Sequence, residues 1–257
     1  MSSGNSFFSS AGEAVARGFS KQSYAYDESD KLNPVLQDLR RQVYDHLQRY
    51  LKSQSKILEL NAGTGIDAAR LAEEGHHVHA TDLSAGMIAQ IKTKIDMGDF
   101  TGQLTCQQLS FEDLHLLSGD NFDYVFSNMG GLNCTPDLSR VTQHLPSLLK
   151  PGAYVTWVVM PPVCLWELLQ LVKGNWGQAF RRWNKNGTMA QVEGEYFNTY
   201  YHSLRKIRRA FGPAFEFIQA EGLAALSPPP HRGDMPLKNP GMYRILRKAD
   251  RAMRKVF

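Results

Sequence analysis

Cysteine is scarce in this chain of 257 residues, which holds Cys106, Cys134 and Cys164, widely spaced and without any C-x-x-C pair. An odd number at such spacing argues against a disulfide framework or a zinc site and suits the reducing cytoplasm. The opening MSSGNSFFSS has no basic start leading into an apolar run, so no secretory signal is expected there. Long hydrophobic runs are also missing. The nearest, residues 153 to 172, has Glu167 as its one charge, but Pro161 and Pro162 split it, so it reads as a buried strand followed by a helix. No internal repeat is visible. A hydrophobic fraction of 42% with 21% charged residues excludes a disordered chain and fits a globular protein able to bury a core.

Charge is unevenly placed. Residues 1 to 128 carry 11 basic and 17 acidic side chains, whereas residues 129 to 257 carry 18 and 8. The second half is therefore the one suited to an acidic partner or surface.

Apolar spacing predicts alternating strands and helices. Leu36, Leu39, Val43, Leu47 and Leu51 recur at helical spacing ahead of a strand at 56 to 61, a helix at 65 to 75, a strand ending at Asp82 and a helix at 84 to 97. Strands follow near 103 to 110, 121 to 128 and 153 to 160, with one helix over LSRVTQHLPSLLK. A helical segment is expected over 164 to 183, a basic helix at LRKIRRAFG and a further strand at FEFIQAEGLAAL. The expected class is α/β, a doubly wound and mostly parallel Rossmann-like sheet with an N-terminal helical cap (1–52) and an inserted helical and aromatic lid. The insert covers about 162–201 of a domain at 53–226, and 227–257 forms a Pro-rich connector with a basic C-terminal helix. In that helix Met242, Ile245, Leu246, Ala249, Met253 and Val256 form an apolar stripe expected to dock on the domain, with membrane-surface contact possible but not favoured.

The stretch ILELNAGTGIDAARLAEEGHHVHATDLS at 57 to 84 carries the chemistry. Gly63, Gly65 and Ala68 satisfy G-x-G-x-x-G/A, and Asp82 follows at about the distance of a ribose-binding carboxylate. Glu59 discriminates among nucleotide-like ligands. A carboxylate about 6 Å from a phosphate charge costs about 3 kcal/mol at an effective dielectric near 20, and a cationic ligand reverses the sign. An ammonium and a sulfonium, as in S-adenosylmethionine, fit better than a pyrophosphate.

Glu59-Leu60-Asn61-Ala62-Gly63-Thr64-Gly65 resembles the first motif of the class I S-adenosylmethionine-dependent methyltransferases, with Asn61 replacing the first glycine. Asp82-Leu83-Ser84-Ala85-Gly86-Met87 resembles the second motif, whose acid holds the ribose hydroxyls. The resemblance implies S-adenosyl-L-methionine as cofactor, with Ser110, Phe111 and Glu112 bordering the adenine and Asn128 at the boundary between cofactor and acceptor. It further implies that Tyr26 belongs to an N-terminal segment closing over the cofactor, and that Leu83 and Met87 of the second motif bind the cofactor.

The cofactor supplies the driving force of methyl transfer and alignment lowers its barrier, so no side chain is obligatory and the catalytic residue is left unassigned, with His202, Tyr200 and Tyr201 as candidates and Tyr24 or Tyr26 behind them. Trp166, Trp176, Phe180, Trp183, Phe197, Tyr200 and Tyr201 are read as walls of an acceptor pocket. His76, His77 and His79 have no third-element ligand, so no metal is expected. Ser127-Asn128-Met129-Gly130 stands where a base-modifying enzyme has Asn/Asp-Pro-Pro-aromatic, which makes nucleic acid unlikely. The expected function is methyl transfer to O, N or C of a small or amphipathic metabolite. The rivals are an NAD(P)-dependent oxidoreductase and a non-catalytic S-adenosylmethionine-binding module.

Overall fold

A computed structural model of the chain describes residues 10–98, 100, 102–117 and 121–254; the opening residues 1–9 and Val256 lie outside the described residues. The chain forms two compact units. The first holds the chain up to Tyr26, Ser53–Val159 and Asn186–Tyr200, and the second holds Asp27–Lys52, Met160–Lys185 and the chain from Tyr201 onward.

The first unit is built on five parallel strands, β1 (Lys56–Leu60), β2 (His77–Asp82), β3 (Leu104–Gln108), β4 (Phe122–Ser127) and β5 (Leu149–Trp157), in the order β3-β2-β1-β4-β5. This is the expected α/β class. Ile57, Leu58, Leu60, Phe122, Val125 and Phe126 are fully buried, as central parallel strands covered on both faces must be. Helix α1 (Ser10–Leu32) begins here, and α2 (Pro34–Leu47) lies in the second unit. Helix α3 (Ile66–Glu73) buries Ala68, Leu71 and Ala72, and α4 (Ala85–Met97) buries Met87, Ile88 and Ile91. Because β1 lies between β2 and β4, strand order reverses there, and the carboxyl ends of β1 and β4 flank the switch point.

Three local expectations change. LSRVTQHLPSLLK breaks into helical turns at Ser139–Thr142 and Leu145–Leu148, because Pro146 has no N–H with which to continue one helix. The polar and aromatic stretch inside the insert is an antiparallel hairpin, β6 (Thr188–Val192) and β7 (Glu195–Thr199), closed by Glu193 and Gly194 at φ 47° and 81°. Two consecutive left-handed residues give the tight turn that suits strand twist. FEFIQAEGLAAL is not a strand. Its Gly222 N–H donates to Arg254 O and Leu226 N–H to Asp250 Oδ1 at 2.7 Å, followed by Ser227 N–H to Asp250 Oδ2 at 2.8 Å, so this stretch is tied to the C-terminal segment and not to a sheet.

Residues 17 to 21 of α1 rest on the hairpin and on α4. Arg17 and Lys21 pair with Glu195, the rings of Phe19 and Phe197 lie 5.9 Å apart, and the hydroxyls of Ser20 and Ser84 are 2.8 Å apart.

In the second unit, Asn33 caps α2 by accepting from the N–H groups of Val35 and Leu36, with Pro34 pre-set at the first helical position. Val35, Leu39, Val43 and Leu47 form its buried face. The C-terminal helix Pro240–Met253 also packs, but on a different face from the one expected. Tyr243 and Asp250 are buried, whereas Met242 and Ile245 of the apolar stripe are exposed. The burial of Asp250 follows from its two backbone donors.

Asp30 and Arg40 are nearly solvent-free and joined by bonds of 3.0 and 3.2 Å from Arg40 Nε, with Gln37 Nε2 donating to Asp30 Oδ2 at 2.7 Å. Arg40→Ala is expected to cost about 3 to 5 kcal/mol in chemical denaturation, because it strands a buried carboxylate. Glu195→Gln, which opens an exposed pair, should leave the midpoint close to that of the parent chain.

Candidate functional site

At the end of β1 the chain must leave the sheet and enter α3 within five residues. Asn61, Gly63 and Gly65 take φ values of 46°, 59° and 78°. At Gly65 glycine is required twice over, by the left-handed backbone and because a Cβ there would lie 2.9 Å from Ile91 Cγ1 of α4. Asparagine is one of the few other residues that tolerate this conformation. Its side chain also ties the two strands at the switch point: Ser127 Oγ donates to Asn61 Oδ1 at 2.7 Å, and Asn61 Nδ2 donates to Asn128 O at 3.1 Å. The amide then fills the space beside Gly131, where a Cβ would come within 2.3 Å of Asn61 Nδ2.

Asp82 closes β2 opposite this turn. Gly63 N–H donates to Oδ2 at 2.9 Å and Ser84 N–H to Oδ1 at 2.8 Å. Burial raises the Asp82 pKa from 3.8 to about 6, against the opposing effect of those two amide donors. Cys134 lies within electrostatic reach, and desolvation together with the Asp82 charge pushes its thiol up to about 12. Leu83 follows Asp82 with its carbonyl accepting from Gln108 Nε2, and Ser84 Oγ accepts from Met87 N–H, which fixes the start of α4.

Glu59 is 1% exposed on β1, paired through its backbone with Ala80 on one side and Phe126 on the other. A carboxyl side chain is thereby placed on β1 one residue before the strand ends at the switch-point turn. Ala62 N–H donates to Thr81 O at 2.9 Å, holding the turn against β2. After β3, Ser110 Oγ accepts from Glu112 N–H, Phe111 is half-buried, and Glu112 Oε1 accepts from Thr135 Oγ1 at 2.6 Å. Asn128 is 5% exposed, and its side chain donates to Asp67 Oδ2 at 2.8 Å while accepting from Met129 N–H. Glu59, Asn61, Ala62, Gly63, Gly65, Asp82 and Asn128 are thus gathered around the ends of β1, β2 and β4.

The other expected residues are placed differently. Tyr26 is half-exposed and Tyr24 exposed, both within α1. Tyr200 lies just past β7, its N–H donating to Asn133 O at 2.7 Å and its carbonyl accepting from Asn133 Nδ2 at 2.5 Å. Tyr201 and His202 belong to the second unit, where the Arg182 guanidinium sits 4.6 Å from the Tyr201 ring centroid and His202 is buried. Of the aromatic residues read as pocket walls, Phe197 is buried against Phe19 in the first unit, whereas Trp176 and Trp183 of the second are exposed. Among the described residues no group of three or more His, Cys, Asp or Glu could hold a metal ion.

Asp67, Asn133 and Thr135 are buried polar groups of this region that sequence reading passed over. Asp67 resembles any acid in a first helical turn, and the bonds of Asn133 and Thr135 reach residues 67 and 23 positions away, leaving no local pattern.

Residues 57–152 match the family described as "Methyltransferase domain". A demethylmenaquinone methyltransferase of Clavibacter sepedonicus is 31% identical over 144 residues, covering 55% of this chain and 56% of that protein. The chain thus spans about half the length of this curated relative. Two solved structures share the fold: a complex of DhpI with SAM and HEP, with TM-score 0.55 and 19% identity over 79% of this chain and 88% of that one, and a SAM-dependent methyltransferase from Methanosarcina mazei, with TM-score 0.51 and 21% identity over 64% and 80%. Sheet order, turn and family match agree: residues 57–152 match a methyltransferase domain, and the fold is that of these two solved structures.

Proposed function

We propose that this chain transfers the methyl group of S-adenosylmethionine to oxygen, nitrogen or carbon of a small or amphipathic acceptor. The observation that carries the reading is the pairing of Asp82, with both carboxylate oxygens oriented by backbone amides, and buried Glu59 at one switch point. Asp82 suits the two hydroxyls of a ribose, since each of its oxygens keeps acceptor capacity beyond its amide bond. Glu59 suits the cationic methionine end, and it would repel a pyrophosphate. The turn at Gly63 is open, with no atom within 4 Å of where a Cβ would stand, so a ligand can approach the backbone closely. When bound, the cofactor supplies an electrophilic methyl group on a sulfonium. The chain's own part is to orient the ligand, keep Cys134 protonated beside it and hold the acceptor in line.

The name of the Clavibacter relative fits an amphipathic acceptor. His202, Tyr200 and Tyr201 stay as proposed proton acceptors, used only where the acceptor keeps its proton at neutral pH. Tyr26 is proposed to close over the cofactor, and Ser110, Phe111 and Glu112 to border its adenine.

Isothermal titration calorimetry with S-adenosylmethionine, its demethylated product and NADH tests the cofactor. Glu59→Gln and Asp82→Ala should each weaken S-adenosylmethionine binding about 10- to 100-fold, the worth of a hydrogen bond to a charged group. Tighter binding of NADH would overturn the reading.

The raised pKa of Asp82 predicts a pH dependence. Its folded value of about 6 exceeds 3.8, so ionised Asp82 disfavours the fold, and its contribution to stability is lost as pH rises through that window. Ligand hydroxyls need the ionised form, so binding has the opposite trend. Affinity should fall about tenfold from pH 7 to pH 5, as the competent fraction falls. Asp82→Asn should flatten that profile.

A further inference from the structure

The second unit differs from the first in both charge and surface. It holds 21 basic and 10 acidic residues, whereas the first holds 8 and 15. Of the nineteen exposed large hydrophobic side chains among the described residues, fourteen belong to this smaller unit. Single exposed apolar residues are ordinary; their concentration on one strongly basic unit is not.

Two of its helices show how the apolar and basic groups are arranged. The helix Leu204–Phe211 has no buried residue. At about 100° per residue, Leu204, Ile207 and Phe211 share one arc, and Arg205, Lys206, Arg208 and Arg209 occupy the rest. In the helix Pro240–Met253, Tyr243 and Asp250 mark the packed side. Met242, Ile245, Ala249 and Met253 form a strip away from it, with Ile245 68% exposed, and Arg244, Lys248 and Arg251 form an exposed basic strip beside that one. Neither helix is long and apolar enough to cross a membrane.

We propose that the second unit binds the surface of an anionic lipid bilayer, with the apolar strips of these two helices entering the headgroup boundary and their basic strips facing the lipid phosphates. An apolar strip flanked by Lys and Arg is the pattern of a helix lying in that interface. A nucleic acid would use the cations and stack on exposed Trp176 and Trp183, but would gain nothing from the exposed aliphatic Met242, Ile245 and Ile218, since bases stack on aromatic rings. This proposal is independent of methyl transfer.

Cosedimentation of the full chain with vesicles is the test. Vesicles of phosphatidylcholine mixed with phosphatidylglycerol should pellet the protein, pure phosphatidylcholine should not, and added salt should weaken the binding. Arg208→Gln with Arg209→Gln should lower partitioning roughly thirtyfold, at about fivefold per charge. Met242→Glu with Ile245→Glu should also release the protein from anionic vesicles. All four positions are exposed, so circular-dichroism melting curves should match the parent chain. The proposal is overturned if anionic vesicles at low salt leave the protein in solution, or if neither pair changes binding. It is equally overturned if an RNA oligonucleotide displaces the vesicles and itself binds undiminished to the Met242 and Ile245 variant, or if that pair only dissolves a self-association seen without lipid.

Discussion

Asp82 joins three stretches of chain that are distant in sequence. Its two carboxylate oxygens take amide hydrogens from Gly63 in the turn and from Ser84 at the start of α4, and its carbonyl takes one from Leu109 after β3. The turn, the helix start and the loop that follows the third strand are therefore set by one residue. Ser84 extends the arrangement, since its hydroxyl caps α4 and meets Ser20 of α1, which also accepts from Gly86 N–H at 3.2 Å. Such a node has an energetic cost, visible in the raised pKa of the carboxyl. A site that demands a half-buried carboxylate in a fixed orientation carries that cost as part of its preorganisation.

The two units are stabilised by different means. The first rests on apolar strands covered by helices. The second places several carboxylates indoors and pairs each with one or two arginines: Asp30 with Arg40, Glu167 with Arg181 and Arg182, Glu221 with Arg49 and Arg254, and Asp38 with Arg247. Glu167 receives four guanidinium hydrogen bonds and is held below the usual carboxylate range, its bonds to both arginines outweighing burial. A buried ion pair is expensive to break and adds little net stability when made, so its value lies in fixing one arrangement. Supplying more than one arginine to some carboxylates also leaves the unit with surplus positive charge.

Legibility in the sequence followed the distance over which each feature is determined. β1 to β4, α3, α4 and the glycine turn are local patterns, read from periodicity and from Glu59, Gly63, Gly65 and Asp82, whereas β5, expected at 153 to 160, lies at Leu149–Trp157 and takes in the Lys150-Pro151-Gly152 stretch that resembles a turn. The hairpin β6–β7 was hidden because its turn residues, Glu193 and Gly194, sit inside a polar run that resembles a loop. FEFIQAEGLAAL has the apolar content of a strand, yet its backbone partners come from Asp250 and Arg254 on the last helix. The apolar stripe of that helix was visible as well. Which face it packs was decided by Tyr243 and Asp250, through contacts that no periodicity reports.

The close approach of Asn61 to Gly131 links two residues seventy positions apart. The amide occupies the volume that any side chain at 131 would need, and it holds the ends of β1 and β4 while doing so. In a related chain with glycine at position 61 that volume is vacant and the strand ends are untied, so a small side chain at 131 can be accommodated. The two positions are therefore expected to drift as a pair, each limiting which residues the other can adopt over descent.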